Sequence, residues 1–214
     1  MISLAALDIA GTTIDEGGAV YRVLAEVVAE HGPAPSDEEL RRWMGADKRA
    51  ALSALTGDPR ATERLHDRFV ARLGAAYAQN PPAPFPGVAQ TLAELRETGA
   101  RVVLTTGFDR QITDLLLAQV GWHVGLQLDA VVCACEVGAG RPAPDMIHRA
   151  MELTRVQDPA RVLVAGDTAL DVRAGHAASA GRVVGVLTGA QTRAELERHR
   201  PTGILPGLAD LPTA

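Results

Sequence analysis

Asp8 closes the apolar run 2–7 and is followed by Ile9-Ala10-Gly11-Thr12-Thr13. A carboxylate at such a strand end can serve both as nucleophile and as metal ligand, and a Gly-Thr-Thr turn offers backbone N–H groups to phosphate oxygens. An aspartate there can also do no more than cap the turn. A second apolar run, 162–165, leads into Gly166-Asp167-Thr168-Ala169-Leu170-Asp171. Glycine permits close backbone approach there, and the second acid follows one helical turn on. Taken alone, Asp167 is equally well read as a helix N-cap. Thr105 and Thr106 end a third run, and Arg141 lies in the loop beyond a fourth. Two or three carboxylates together suit Mg²⁺, a hard cation wanting oxygen ligands, and an arginine suits phosphate.

These residues act together only if the fold brings the run ends to one edge. Five short runs, 2–7, 101–104, 130–133, 162–165 and 182–187, lack polar alternation, as strands of a parallel sheet covered on both faces should. Helix-length segments at 88–98, 110–120, 144–154 and 170–179 alternate with the later ones, and 193–199 predicts a last helix before Pro201. The pattern is that of an α/β fold with a doubly wound parallel sheet, in which ligands collect at the carboxyl ends of the strands. The stretch 18–84 departs from it. Helical patterns cover 20–31, 37–43, 49–55 and 61–79, broken by Gly32-Pro33, Gly45 and Gly57-Asp58-Pro59, and Ser36 with Glu39 has capping-box spacing. A proline-rich connection, 80–87, ends the stretch. The expected organisation is a core of 1–17 and 85–214 with a helical insertion, 18–84.

Composition bounds the function. The 214 residues carry 21 Lys+Arg against 26 Asp+Glu, a formal charge of −5, with 47% hydrophobic and 22% charged residues. This is ordinary globular usage at a length that supports a core. The mild acidity and an aromatic content of 3% argue against nucleic-acid binding. The first apolar run is too short for a signal-peptide core and no segment reaches a membrane span, so a cytoplasmic location is expected. Cys133 and Cys135 read as buried thiols near a strand end rather than as a disulfide or zinc pair. Among six histidines, His31, His66 and His199 read as exposed helix positions, while His123, His148 and His176 read as able to approach the core. Gly138-Ala139-Gly140-Arg141-Pro142-Ala143 matches a dinucleotide fingerprint in form only, since prolines interrupt the turn into the helix. The apolar first helix of the insertion is a surface through which two subunits could pair.

The Asp8-Ile9-Ala10-Gly11-Thr12-Thr13 segment and the Gly166-Asp167 to Asp171 segment together resemble the haloacid dehalogenase (HAD) superfamily of phosphoryl-transfer hydrolases, over essentially the whole chain. The resemblance implies a Rossmann-like core with an alpha-helical cap. It implies that Asp8 forms an aspartyl-phosphate, that Gly11, Thr12, Thr105 or Thr106 and Gly107 bind the phosphoryl group, and that Arg141 neutralises phosphate and nucleophile. Asp8, the main-chain carbonyl of Ala10, Asp167 and Asp171 would hold Mg²⁺.

Most phosphatases of that superfamily place a second aspartate two residues after the first, as acid and base for the leaving oxygen. Ala10 stands there instead. The substitution resembles the phosphonatase (phosphonoacetaldehyde hydrolase) subgroup, which cleaves a carbon–phosphorus bond through a lysine Schiff base supplied by the cap. Thr105-Thr106-Gly107-Phe108, Gly140-Arg141-Pro142 and Met44-Gly45-Ala46-Asp47-Lys48 look like that subgroup's motifs. Lys48 is the only lysine of the chain, and arginine cannot form an imine. An imine-forming Lys48 requires a lowered pKa, through burial or a cation such as Arg49 or Arg141. Its other readings are a phosphate-attracting cap residue or an exposed charge at a helix start. The sequence departs from the subgroup at Ala51, where a histidine is expected, and at Phe108, where an aromatic hydroxyl is expected. The expected function is therefore a Mg²⁺-dependent HAD hydrolase acting on a small organophosphonate or organophosphate, phosphonoacetaldehyde foremost. A small-metabolite phosphomonoester phosphatase and a non-catalytic phosphate-binding module of the same fold are the alternatives.

Overall fold

The computed structural model describes residues 1–212. Its main sheet has six parallel strands: β1 Leu4–Asp8, β4 Arg101–Thr106, β5 Ala130–Cys133, β6 Val162–Gly166, β7 Arg182–Val186 and β8 Gly203–Leu205. Their spatial order is β5-β4-β1-β6-β7-β8. The chain runs outward from β1 through β4 to β5, then returns to the other side of β1 for β6, so β1 lies at the topological switch point where such sheets open a crevice. Register sets Asp8 beside Thr105 and Leu7 beside Ala165. The strand-end residues therefore share one edge.

All five residues of β1 are buried, as continuous apolar runs in a sheet covered on both faces require. Ala5 and Leu7 join the core with α5 Val88–Glu97 and α6 Arg110–Val120, while Leu4 and Ala6 pack with Met146, Ile147 and Ala150 of α7 Asp145–Thr154 and with Ala174 of α8 Ala169–Ala177. The short α9 Arg193–Glu197 ends two residues before His199, closer in than the pattern suggests.

Between the first strand and the rest lies a helical unit: α1 Ala19–His31, α2 Asp37–Arg42, α3 Lys48–Thr56 and α4 Thr62–Gln79. On α1, Val20, Val23, Leu24, Val27 and Val28 form one buried stripe, and on α4 so do Leu65, Phe69, Leu73 and Tyr77. The Ser36–Glu39 capping box forms, with Ser36 N donating to Glu39 Oε2 at 2.8 Å. The chain enters and leaves the unit through a ribbon that periodicity does not disclose, β2 Ile14–Asp15 paired antiparallel with β3 Ala83–Pro84. Two residues are too few for alternation to register, and Pro84 argued for a connection. β8, three residues long, escapes periodicity for the same reason.

Several buried or exposed assignments change. Cys133 is buried at the end of β5, but Cys135 lies in the following 3₁₀ turn and is exposed. His123, His148 and His176 are exposed, and His31 and His199 are half-buried. His66, expected at the surface, is 1% exposed, because it lies on the inner stripe of α4 between Leu65 and Phe69. No helix among the described residues is long and apolar enough to cross a membrane.

Candidate active site

Three carboxylates meet at the switch point. One oxygen each from Asp8, Asp167 and Asp171 lies within 4.8 Å of the others, and all three residues are buried. β1 delivers Asp8, the loop after β6 delivers Asp167, and the first turn of α8 delivers Asp171. A capping box fixes that turn: the Thr168 backbone N and hydroxyl donate to Asp171 Oδ2 at 3.1 and 2.5 Å. Asp167 Oδ2 accepts from Ala190 N at 2.7 Å, and its Oδ1 accepts from the Thr12 hydroxyl at 3.3 Å. Gly189 belongs beside it, since a Cβ there would overlap the Asp167 carboxylate.

Burial, then the neighbouring Asp8 and Asp171 charges, push the Asp167 carboxyl well above the usual carboxylate range. Burial also raises Asp171 to about 6, against the opposing pull of Arg141. Arg141 is the counter-charge present: its NH1 donates to Asp8 Oδ1 at 2.7 Å, its Nε lies 2.9 Å from Asp171 Oδ1, and its NH2 donates to the carbonyl and hydroxyl oxygens of Thr105 at 2.8 and 2.9 Å. Burial works against its charge, but Asp171 and Asp8 more than offset that and raise its pKa. One guanidinium among three converging buried carboxylates leaves an excess of hard oxygen charge, a donor set that fits a divalent cation such as Mg²⁺.

Lys48 lies in the same place. It is 2% exposed at the start of α3, and it lines a cavity of about 20 Å³ with Asp8, Thr106, Phe108, Arg141 and Asp167. The exposed-charge reading of Lys48 is thereby excluded. Its Nζ donates to Ala46 O at 2.7 Å and lies 5.4 Å from the Phe108 ring centre and 5.6 Å from that of Tyr21. Burial first, with Arg141 adding, lowers its pKa to about 8 against the pull of Asp47, Asp8 and Glu16. Arg49 is not the second cation: it pairs with Glu63 at 3.0 Å and Asp109 at 2.9 Å.

The approach of the helical unit to the sheet edge is tight, and glycines permit it. A Cβ on Gly107 would stand 2.5 Å from Gly45 O and 2.8 Å from Ala46 O, and one on Gly45 would stand 2.8 Å from the Thr168 hydroxyl. Gly107 lines the small cavity and makes room for the Lys48 loop.

The turn after Asp8 differs from expectation. The N–H groups of Gly11, Thr12 and Thr13 are held within the turn, by Ile14 O and Ile9 O. The Thr12 hydroxyl is committed to Asp167, and Gly11, at φ +86°, accepts from the Thr188 hydroxyl at 2.7 Å. The Gly-Thr-Thr segment spends its three N–H donors within the turn, a closure that its composition does not reveal. Of the two threonines that end β4, Thr106 lines the cavity, whereas the Thr105 hydroxyl is held by Arg141.

Two groups of residues near the site carried no signal in the sequence. Tyr21, on α1, lines the small cavity, and its hydroxyl accepts from Gly45 N at 3.1 Å. Asp109, the N-cap of α6, takes His66 Nε2 at 2.6 Å and Arg49 NH1 at 2.9 Å, both from the helical unit. Burial works to raise the Asp109 carboxyl, but His66, the Ile112 N–H and Arg49 together hold it at about 2.

A family model described as haloacid dehalogenase-like hydrolase matches residues 2–179. A phosphonoacetaldehyde hydrolase from Bacillus cereus is 32% identical over 200 residues, covering 85% of this chain and 74% of that protein. One from Bacteroides fragilis is 30% identical over 209 residues, covering 90% and 79%. Among solved structures, a hydrolase from Pseudomonas syringae superposes with a TM-score of 0.85 at 22% identity, covering 98% of this chain and 95% of the other.

Proposed function

The chain belongs to the haloacid dehalogenase-like hydrolases and is phosphonatase-like within them, and from that premise we propose that it cleaves the carbon–phosphorus bond of a small aldehyde phosphonate, phosphonoacetaldehyde foremost. The observation that carries the reading is Lys48: the one lysine, buried in a cavity with Asp8 and Arg141, its amine lowered to about 8.

In this reading, neutral Lys48 adds its lone pair to the substrate's aldehyde carbon, and loss of water with uptake of one proton from solvent leaves a protonated imine. An Asp8 oxygen then attacks phosphorus. As the new O–P bond forms, the C–P electron pair moves into the imine and leaves an enamine on Lys48. The leaving carbon needs no proton in that step, so Ala10 is no handicap. Arg141 and the Thr106 hydroxyl hold the phosphoryl oxygens. Water then cleaves the phosphate from Asp8, while the enamine gains a proton on carbon and is hydrolysed to free aldehyde and Lys48. Mg²⁺, held by Asp8, Asp167, Asp171 and the Ala10 carbonyl, would supply positive charge against the transferring phosphoryl group. Residues 18–84 act as the cap: a cavity of about 20 Å³ admits little more than one water, so substrate entry requires this unit to lift.

A phosphate-release assay with Mg²⁺, or with chelator, on phosphonoacetaldehyde and on small phosphomonoesters tests the proposal. Wild type is expected to turn over the phosphonate well and the monoesters slowly, and Lys48→Arg to lose the phosphonate activity. Fast monoester turnover, indifferent to Lys48→Arg, would make the protein a phosphomonoesterase instead.

A further inference from the structure

Lys48 is flanked by two aromatic rings, and only one carries a hydroxyl. Phe108 and Tyr21 stand at 5.4 and 5.6 Å from Nζ. Tyr21 also lines a second pocket of about 220 Å³, with Glu16, Met44 and Asp167, so its ring forms a wall common to the small cavity and the larger space beside it. Its hydroxyl oxygen accepts the Gly45 N–H at 3.1 Å, and no group among the described residues accepts its proton. Burial, with the charges of Asp167 and Asp8 adding, raises the phenol far above its ordinary value, so it stays a donor at all working pH. The acids nearby are already engaged: Asp167 with Ala190 N and Thr12, Asp171 with Thr168 and Arg141.

We infer that the Tyr21 hydroxyl, fixed by Gly45 N and facing the cavity beside Lys48, donates a hydrogen bond to the carbonyl oxygen of the aldehyde while Lys48 adds to its carbon. The inference rests on the carbon–phosphorus reading. Addition of the amine moves the C=O π pair onto oxygen, and a donor fixed in a site closed to bulk water stabilises that charge as it forms. Tyr21 keeps its proton; the hydrogen bond strengthens in the transition state, and no covalent step passes through the phenol.

The test is the rate at which borohydride traps phosphonoacetaldehyde on Lys48, in wild type and in Tyr21→Phe, with inorganic phosphate inhibition measured alongside. Phosphate reports on the Asp8, Thr106 and Arg141 side, and its unchanged inhibition constant in Tyr21→Phe will show that the site is intact. The expected result is trapping slower by about 10²-fold at saturating aldehyde, with little change in half-saturation. An unchanged rate overturns the inference and leaves the phosphonatase reading standing. So does a loss shared in full by phosphate inhibition, since Tyr21 then only tethers Gly45. Absence of any adduct in the wild type overturns both readings together.

Discussion

The sheet edge and the helical unit above it position their functional groups by different means. At the edge, Asp8, Thr105 and Asp167 are set by strand register and by the first turn of α8, and every group is held by at least one buried bond. Above it, Lys48 and Tyr21 depend on how one helical unit lies against another body. A few contacts decide that: Gly45 and Ala46 against Gly107, and Asp109 between His66 and Arg49. In the proposed reaction, charge on phosphorus falls to the sheet edge, and choice of leaving group to the helical unit. A scaffold so divided can change its substrate chemistry through the helical unit while the phosphoryl machinery stays fixed.

The division can be broken from either side. Asp8→Asn removes the proposed nucleophile and should cost roughly 10⁴-fold or more in phosphate release from every substrate. Lys48→Arg should take phosphonoacetaldehyde turnover to the same floor while sparing the slow release from monoesters. Steady-state phosphate assays on both variants check the pair, and equal losses on both substrate classes in Lys48→Arg would dissolve the distinction.

The contacts between the two parts can be probed through stability. Asp109→Ala leaves His66 buried without its partner and strips α6 of its N-cap, an expected loss of about 3 kcal/mol in urea unfolding. Arg49 is partly exposed and contributes little of it. Asp109 titrates at about 2 in the folded chain, below its ordinary 3.8, so its stabilisation is full above that ordinary value and is lost as pH falls toward 2. The two unfolding curves should therefore converge on acidification.

A smaller effect sharpens the account of Lys48. With its amine at about 8, imine formation should rise by roughly tenfold per pH unit below that value and level off above it. A plateau reached only near pH 10 would mean that the amine is not desolvated when it reacts.

What was legible in the sequence follows the same division. Asp8, Asp167, Asp171 and Arg141 announced themselves because strand ends in a parallel sheet are a place that one-dimensional pattern can locate. Lys48 was legible as the only lysine and through the Met44-Gly45-Ala46-Asp47-Lys48 wording that resembles the phosphonatase cap. Tyr21 and His66 were not, since helical periodicity marks a face as inward without saying whether it meets apolar core, a cavity or Asp109. The turn after Asp8 was misread for a related reason: its composition matched an anion cradle, but whether N–H groups point outward depends on φ and ψ, and here Ile9 O and Ile14 O take them. The ribbon of β2 and β3 was too short for any periodicity to show.

The proposed function turns on an imine at Lys48, formed in the cavity that Asp8 also lines. Incubation with phosphonoacetaldehyde and borohydride, followed by peptide mass spectrometry, tests it most directly. A single reduced adduct is expected on the peptide containing Lys48, absent when Lys48→Arg is treated in the same way. No adduct in a wild-type enzyme that still releases phosphate from phosphonoacetaldehyde would contradict it.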